Sequence, residues 1–377
     1  MKVVIAPDSF KESLTALEVA NAIELGFKRV FPDAEYIKVP MADGGEGTVQ
    51  ALVDATNGKI VCTPVKGPLH APVDSFYGIL GDGETAVIEM AAASGLHQIN
   101  EDEKDAKLTC SFGTGQLIID ALDKGVSKFI IGLGGSATND AGAGMLTALG
   151  ANLTDKNSKA IPSGGANLHL LHHIDLANLH PKFISSTFLV ACDVSNPLCG
   201  DNGASAVFGP QKGASTQDIA LLDANLLHFG QKLETLCQKS IINFPGSGAA
   251  GGMGASLLAI CNAKLQSGVE LVTNTLALTD KVEGADLVIT GEGRIDSQTV
   301  FGKTPIGVAD VAKQHNCPVI VIAGSVRDDY DVVFEHGIDA VFPILSEPGS
   351  LAEALTKGAT NIERTAYNIA KTINITT

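Results

Sequence analysis

The sequence predicts an α/β fold in which a discontinuous parallel-sheet domain is interrupted by a second, inserted α/β domain. The chain has 377 residues, too many for one hydrophobic core and about right for two. It is 45% hydrophobic, with 41 glycines and no tryptophan, a composition typical of α/β enzymes with many tight strand-to-helix turns. Strand-like and helix-like segments alternate at both ends of the chain, and further strand-like segments lie between them.

The N-terminal segment predicts a strand, a helix and a second strand. Residues 2–6 are apolar and β-branched and run into the polar sequence PDSFKES. Thr15 and Glu18 have the spacing of a capping box, and the apolar residues that follow recur on one helical face. Residues 36–39 are the next strand-like run. Two strands do not make a stable sheet, so their partners must come from elsewhere in the chain.

The last hundred residues supply those partners. Strand-like runs occupy residues 286–290, 318–323 and 340–345, and GEGRIDSQTVFGK between the first two reads as a loop. A helix is predicted over residues 304–315, with Thr304 as its N-cap and Pro305 at its first position. We therefore predict that residues 1–66 plus 281–377 form the discontinuous domain and residues 67–280 the inserted one. The crevice between two such domains is the expected binding site.

Charge and cysteine content narrow the function classes. The formal net charge of −16 repels polyanions, which excludes nucleic acid as a main partner and means that an anionic substrate needs local cations. The seven cysteines contain no CxxC pair, which argues against a disulfide framework or a structural zinc site. The start does not resemble a signal peptide, and no apolar run approaches the roughly 20 residues of a membrane span. We expect a cytoplasmic protein without a membrane partner; whether it is a homo-oligomer stays open.

Five loops at the ends of predicted strands combine carboxylates with glycine or small hydroxyl residues. Ligands of doubly wound sheets bind beyond the carboxyl ends of the strands, so these loops form the candidate site. One such loop alone would be an ordinary turn, but five of the same composition indicate a functional site. The loops are DSFK (8–11), DGGE (43–46), GGSATND (134–140), DVSNP (193–197) and EGRID (292–296).

The glycine-rich loop has two interpretations. Gly132, Gly134 and Ala137 fit the dinucleotide fingerprint, with Asp155 at the spacing of a ribose-binding acid. Asp140, however, would repel a pyrophosphate unless a metal ion lay between them. Asp140 could equally cap the helix that follows. Both roles stay open at this point.

Two other patterns do not predict a site. SQTVFGKT resembles the end of a phosphate-binding Walker loop, but Ser297 replaces its glycine and Pro305 follows. Four histidines lie close in sequence without an acidic or sulfur ligand to complete a metal site, so we expect exposed side chains: His169, His172, His173 and His180.

Long motifs along almost the whole chain closely resemble the class I bacterial glycerate kinases. They are APDSFKESLTA, ADGGEGT, GLGGSATNDAGAG, ACDVSNPLCGDNGA, FGPQKGA, PGSGAAGGMGA and DLVITGEGRIDSQTVFGKTPIGVA. Ala141 and Ser247 stand where the family commonly has glycine and alanine, and little effect is expected of either. The resemblance implies a flavodoxin-like domain interrupted by a second α/β domain, with the active site in the cleft between them. It also implies ATP- and Mg²⁺-dependent phosphorylation of D-glycerate, generally to 2-phosphoglycerate.

Phosphoryl transfer needs a proton acceptor, cations and metal ligands, and the loops offer candidates for each. The first candidate base is Asp193, with Asp43 and Asp296 as competitors. Arg294 and Lys11 are expected to hold the glycerate carboxylate or the transferred phosphoryl group. The predicted nucleotide contacts are Ser9, Gly134, Gly135, Ser136, Lys212 and Lys303. The predicted ligands of the metal or of its surroundings are Glu46, Asp140 and Glu292.

Alternatives remain within and beyond this class. The kinase could produce 3-phosphoglycerate or act on another small hydroxy acid. A dinucleotide-dependent oxidoreductase would use Gly132, Gly134 and Asp155, and a non-catalytic sensor would bind a nucleotide or hydroxy acid without turnover.

Overall fold

The computed structural model describes residues 1–347 and 349–376, which divide into two compact units. The first unit contains Met1–Asp43, Gln50–Gly58 and the chain from Ser267 onward, and the second contains Gly44–Val49 and Lys59–Gln266. The predicted boundaries, 1–66 plus 281–377 around 67–280, differ from this division. Pro348 and Thr377, inside the predicted last segment, lie outside the described residues. That the two units are separate domains stays a prediction.

Thirteen strands and thirteen α-helices are assigned within the described part of the chain. The strands are β1 (Lys2–Ile5), β2 (Glu35–Lys38), β3 (Lys59–Lys66), β4 (Pro72–Ile79), β5 (Thr85–Glu89), β6 (Lys128–Gly132), β7 (Asn152–Thr154), β8 (His173–Asp175), β9 (Thr187–Ala191), β10 (Lys264–Gln266), β11 (Leu287–Ile295), β12 (Val319–Val326) and β13 (Ala340–Pro343). The helices are α1 (Ala16–Lys28), α2 (Thr48–Thr56), α3 (Ala91–Ser94), α4 (Phe112–Asp123), α5 (Ala143–Ala148), α6 (Ala204–Phe208), α7 (Thr216–Cys237), α8 (Ala249–Ile260), α9 (Gly268–Thr275), α10 (Leu278–Val282), α11 (Thr304–Gln314), α12 (Leu351–Thr356) and α13 (Gly358–Thr376).

The first unit is built on a parallel five-stranded sheet. Its strand order is β13-β12-β11-β1-β2, and every neighbouring pair is parallel. Renumbered within the unit, this is the 2-1-3-4-5 order of flavodoxin-like folds, in which the direction of winding reverses between β1 and β11. The predicted α/β fold is therefore confirmed, and the N-terminal strands find their partners in the last hundred residues.

Helix α1 covers one face of that sheet and begins as its sequence predicts. The Thr15 hydroxyl accepts the Glu18 N–H, and the Glu18 carboxylate accepts the Thr15 N–H at 2.8 Å, so the capping box is complete. Phe27 and Ile23 are fully buried in a core shared with Ile289 of β11 and Ile362 of α13. Burial of each such side chain contributes about 1.5–3 kcal/mol.

The second unit has a mixed six-stranded sheet of order β10-β9-β6-β5-β4-β3. Strands β10, β9, β6 and β5 run parallel, whereas β4 and β3 pair antiparallel at one edge. Strands β7 and β8 form a separate antiparallel pair. Because β3 pairs with β4, residues 59–66 belong to this unit rather than to the first. Helices α9 and α10 pack against α11, which places residues 267–280 in the first unit instead.

Two local predictions in the C-terminal part are wrong. Strand β11 does not end at residue 290 but continues to Ile295, because it stays paired with β12 as far as Ile295 opposite Val326. Glu292 and Arg294 therefore lie on a strand, not in a loop. Thr304 is the first helical residue of α11, and Lys303, with an extended backbone (φ −82°, ψ 160°), is its N-cap; the Thr304 hydroxyl donates to Asp8 and caps no helical N–H. No helix within the described residues is long and apolar enough to cross a membrane.

Candidate active site

Carboxylates gather at the carboxyl edge of the first unit's sheet, at the ends of the neighbouring strands β1 and β11, between which the direction of winding reverses. Asp8 follows β1, and its N–H donates to the Gly291 carbonyl oxygen of β11 at 2.8 Å. Glu292 is the next residue of β11, and Asp43 lies beyond β2 on the other side of β1. Asp296 follows the end of β11. We call Asp8, Asp43, Glu292 and Asp296 the carboxylate cluster. It occupies the winding reversal at which ligands of this fold class bind.

Asp8 is buried, with 9% of its surface exposed, and its charge is only partly compensated. The Thr304 hydroxyl donates to Asp8 Oδ2 at 2.5 Å, and the Ser9 N–H and hydroxyl both donate to Oδ1. Burial, followed by the negative charge of Asp43, raises the pKa of Asp8 from 3.8 to about 6 despite these donors. Ser9, predicted to contact the nucleotide, thus orients Asp8.

Glu292 is equally buried and lies in the same field of negative charge. The Thr299 hydroxyl donates to Glu292 Oε1 at 2.9 Å, and Lys303 Nζ lies 3.6 Å from that oxygen. Burial raises the pKa of Glu292 from 4.5 to about 7; Lys303 opposes the shift, and Asp8 and Asp43 add to it. The two aspartates therefore act electrostatically on Glu292, which places the three carboxylates in one group.

Cations border this group on the β11 side. Arg294 Nε lies 2.8 Å from Asp296 Oδ2, and Lys303 Nζ lies 4.0 Å from Asp296 Oδ1. Arg294 is 53% exposed, so a ligand can reach its guanidinium group, whereas Asp296 is buried. The predicted residues Asp43, Asp296, Glu292, Arg294 and Lys303 are thus brought together. Lys11 is exposed in the loop after β1.

In the second unit the glycine-rich loop follows β6 and packs against Gly44 and Gly45. A side-chain carbon on Gly132 would lie 2.6 Å from the Gly44 carbonyl oxygen, so only glycine fits there. Gly134 and Gly135 are exposed, and Gly135 has a φ of 71°, a left-handed conformation. Within the described residues no acceptor takes the N–H of Gly134 or Gly135, which form a turn that ends at the buried Ser136. Successive free N–H groups around a left-handed residue form an anion-binding concavity, or nest.

A buried lysine lies beside this nest. Lys212 is 2% exposed, and its ammonium group donates to Ser136 Oγ at 2.8 Å and to the Thr138 carbonyl oxygen at 2.7 Å. We call Lys212, Ser136 and Thr138 the lysine clamp. Burial lowers the pKa of Lys212 from 10.5 to about 7, and the charge of Asp140 opposes that shift. In this arrangement Lys212 does not reach solvent, so the predicted direct contact with the nucleotide does not fit its position.

Asp140 is fully buried and engaged by the protein itself. Its Oδ2 accepts the N–H and hydroxyl of Ser111 at 2.9 and 2.8 Å and the Gly144 N–H at 3.2 Å, and Oδ1 accepts the Gly142 N–H at 3.1 Å. These bonds tie the start of α5 to the start of α4. Of the two interpretations of Asp140, the geometry favours the helix cap over the metal ligand.

The other predicted residues of this unit lie at neighbouring strand ends. Asp193 is exposed beyond β9, whose last residue Ala191 pairs with Gly132 of β6. Glu46 is exposed. Glu89 at the end of β5 accepts the Val49 N–H at 2.8 Å, and burial, with a smaller contribution from Glu46, raises its pKa. Of the predicted metal set, Asp140 is buried and engaged by the protein and Glu46 is exposed; that these two and Glu292 bind one ion stays a prediction.

The dinucleotide interpretation lacks its structural context. The fingerprint requires a helix to open within the glycine run, but α5 begins only at Ala143. Asp155 instead holds a turn, accepting the N–H groups of Asn157 and Lys159. His169, His172 and His173 are exposed, as predicted, and His180 is half-buried with Nε2 3.2 Å from Asp123 Oδ1. Within residues 1–347 and 349–376, no three His, Cys, Asp or Glu side chains could hold a metal ion by themselves.

Sequence reasoning assigned no role to three residues that shape these clusters. Asp8 stood in the candidate loop DSFK, and the strand-end pattern of carboxylates could have singled it out. The roles of Thr304 and Thr299 as hydroxyl donors to buried carboxylates had no sequence signal. Thr304 donates to Asp8 at the other end of the chain, and Thr299 donates to Glu292, seven residues earlier.

Comparison with known proteins agrees with these features. The model of the glycerate kinase family matches residues 3–374. A protein of Haemophilus influenzae named glycerate kinase is 58% identical over 99% of both chains, and glycerate 2-kinase of Escherichia coli is 54% identical over 100% of this chain and 98% of its own. A crystal structure of a Salmonella typhimurium LT2 protein proposed to be glycerate kinase 2 superposes with a TM-score of 0.93 at 52% identity, covering 100% of this chain and 98% of that one. The chain therefore belongs to the glycerate kinase family of enzymes.

Proposed function

We propose that this enzyme transfers the γ-phosphoryl group of ATP to D-glycerate with Mg²⁺, giving 2-phosphoglycerate. The observation that carries the proposal is near full-length similarity to proteins named glycerate kinase, one of them glycerate 2-kinase at 54% identity. Two features of the site support it: grouped carboxylates at the winding reversal of the first sheet and an anion-binding nest beside a buried lysine in the second unit.

The carboxylate cluster suits Mg²⁺. Carboxylate oxygens are the preferred protein ligands of this ion, and one or two suffice when substrate phosphates complete its coordination. The raised pKa values of Asp8 and Glu292 reflect negative charge that burial leaves uncompensated and that a cation would neutralise. One or two of Asp8, Asp43 and Glu292 would hold the ion together with the substrate phosphates, and bound Mg²⁺ would neutralise the charge of those phosphates.

The cations and the nest suit the anionic groups of the substrates. Arg294 and Lys303 lie at the border of the carboxylate cluster and would neutralise a phosphate or carboxylate approaching it. Lys11 is exposed in the loop after β1 and keeps its proposed role with them. The N–H groups of Gly134 and Gly135 would bind a further anionic oxygen.

The glycerate hydroxyl must lose its proton as it attacks phosphorus, and a carboxylate accepts it. Asp193 stays our first candidate because it is exposed at a strand end. Asp43 is half-buried beside other carboxylates, and Asp296 is already engaged with Arg294, which makes it the weaker competitor.

A coupled assay of ADP release tests the reaction. ATP, Mg²⁺ and D-glycerate should give glycerate-dependent ADP, and omission of Mg²⁺ should abolish it. Two substrate analogues probe the reacting hydroxyl: D-lactate has a hydroxyl only on C2, and 3-hydroxypropionate only on C3. If either analogue is phosphorylated, we expect it to be D-lactate and not 3-hydroxypropionate. Turnover of 3-hydroxypropionate alone would favour the 3-phosphoglycerate alternative, and folded protein that binds ATP without releasing ADP would contradict a glycerate kinase.

A further inference from the structure

Lys212 joins two segments of the second unit from a closed position. It ends the short 3-10 turn Pro210–Lys212, and its side chain extends to the glycine-rich loop more than seventy residues earlier. A fully buried lysine is costly unless its donors are used, and two of its three are: one by Ser136 Oγ and one by the Thr138 carbonyl oxygen. The clamp thus holds a hydroxyl and a backbone carbonyl on either side of Ala137.

The residues held by the clamp are those that set the orientation of the nest. Ser136 directly follows Gly134 and Gly135, the two exposed residues with free N–H groups. Two backbone bonds hold the loop to the segment around Gly95. The Ala137 N–H donates to the Ser94 carbonyl oxygen, and the Leu96 N–H donates to the Gly135 carbonyl oxygen. Backbone bonds therefore fix one side of the nest and Lys212 the other.

We propose that Lys212 is a positioning residue: its ammonium group holds Ser136 and Thr138 so that the N–H groups of Gly134 and Gly135 converge on an anionic oxygen of a substrate. This inference rests on the proposed function. The bound group is a phosphate of ATP or the carboxylate of glycerate, which share this chemistry. Because Lys212 is 2% exposed, it acts through the loop and not by touching the ligand.

The charge of Lys212 adds to its geometric role. An ammonium group beneath the nest makes its potential more positive, and a buried charge is screened less than an exposed one. The charged group that acts on Lys212 is Asp140, which lies in the same loop and is satisfied by Ser111 and the backbone of α5. The clamp therefore carries positive charge into an otherwise acidic protein close to the nest.

The test compares Lys212→Met with Lys156→Met, an exposed lysine of the same unit that serves as the control. Steady-state kinetics with ATP and D-glycerate varied separately should show, for Lys212→Met, a KM raised at least about tenfold for one substrate while kcat and the other KM change much less. The affected substrate identifies the bound group: ATP for a phosphate and glycerate for a carboxylate. Lys156→Met should match the wild type.

Ser136→Ala keeps the test decisive if Lys212→Met does not fold. It removes one bond of the clamp and should raise the same KM by a smaller factor, about threefold to tenfold. Unchanged KM values in a folded Lys212→Met, or in Ser136→Ala, would overturn the inference, as would equal losses in both KM values accompanied by a lower Tm. If the wild-type protein released no ADP, the proposed function would be refuted instead. The ratio of the KM values of variant and wild type tests the clamp alone.

Discussion

The carboxylate cluster of the first unit and the lysine clamp of the second respond to burial in opposite directions. Burial raises the pKa of Asp8 to about 6 and of Glu292 to about 7, and it lowers the pKa of Lys212 to about 7. In each case the desolvated charge is the disfavoured form. Desolvation therefore moves the pKa values of two acids upward and the pKa of one base downward, so that all three lie near pH 7.

The two regions differ in what a ligand can reach. The carboxylate cluster lies at strand ends, with Asp43 half-buried and Arg294 53% exposed. The clamp is closed, and only Gly134 and Gly135 in front of it are exposed. The comparison indicates that the first region contacts ligands with its side chains, whereas the second presents backbone N–H groups supported by a side chain.

The largest expected effect concerns which region supplies the base. Asp193→Asn should lower kcat by about 100-fold or more, the usual size of a lost general base, with the fold intact. Asp43→Asn and Asp296→Asn are measured beside it, and the largest fall in kcat identifies the base. Asp201→Asn, an exposed aspartate of the second unit, is the control. Near-normal turnover by Asp193→Asn would remove it from this role and favour a base in the carboxylate cluster.

The next effect is the pH dependence of stability conferred by Lys212. Its folded pKa is lowered from 10.5 to about 7, so between these values the unfolded chain binds more protons and stability rises with pH. The full shift corresponds to about 5 kcal/mol. In urea unfolding from pH 6.5 to 10, the wild type should therefore gain stability relative to Lys212→Met. Lys212→Met also leaves two acceptors unpaired at every pH, so the test is how the difference in free energy of unfolding changes with pH. Parallel curves of free energy against pH for the two proteins would contradict the lowered pKa of Lys212.

The carboxylate cluster should show the opposite slope at lower pH. Because the folded pKa of Asp8 is raised from 3.8 to about 6, the folded state binds more protons in this range and loses stability as pH rises through it. Without Mg²⁺, the free energy of unfolding of Asp8→Asn should exceed that of the wild type by up to about 3 kcal/mol at pH 8 and by little near pH 4. Asp328→Asn, an exposed aspartate of the same unit, is the control. A constant difference across pH would show that the charge of Asp8 carries no such cost.

The smallest effect concerns a strained residue beside the clamp. Ala141 has a φ of 53°, a left-handed conformation that disfavours alanine, at a position where the family commonly has glycine. Ala141→Gly relieves this strain but removes a fully buried methyl group and loosens the unfolded chain. These terms nearly cancel, so the free energy of unfolding should change by less than about 1 kcal/mol. A larger change in urea unfolding would mean that one of them dominates.

The same two regions mark how far the sequence could be interpreted. The Thr15–Glu18 capping box follows from local pattern, and the need of the N-terminal strands for partners in the last hundred residues follows from the strand count; both are present in the structure. Thr304 was predicted as an N-cap, but its hydroxyl donates to Asp8, nearly three hundred residues away. The burial of Lys212 was likewise unpredictable, because its sequence neighbours are those of an exposed loop. Local chemistry and strand content were therefore accessible from the sequence, whereas side-chain partners distant in the chain required the fold.

The most direct test of the account is ³¹P NMR of the product formed from ATP and D-glycerate. The account predicts a new phosphate ester whose phosphorus couples to the single proton on C2, a doublet, in step with ADP formation. A triplet from coupling to the two protons on C3 would keep the kinase reaction and contradict the proposed 2-phosphoglycerate. No new ester from folded, ATP-binding protein would contradict the central claim that this chain phosphorylates glycerate.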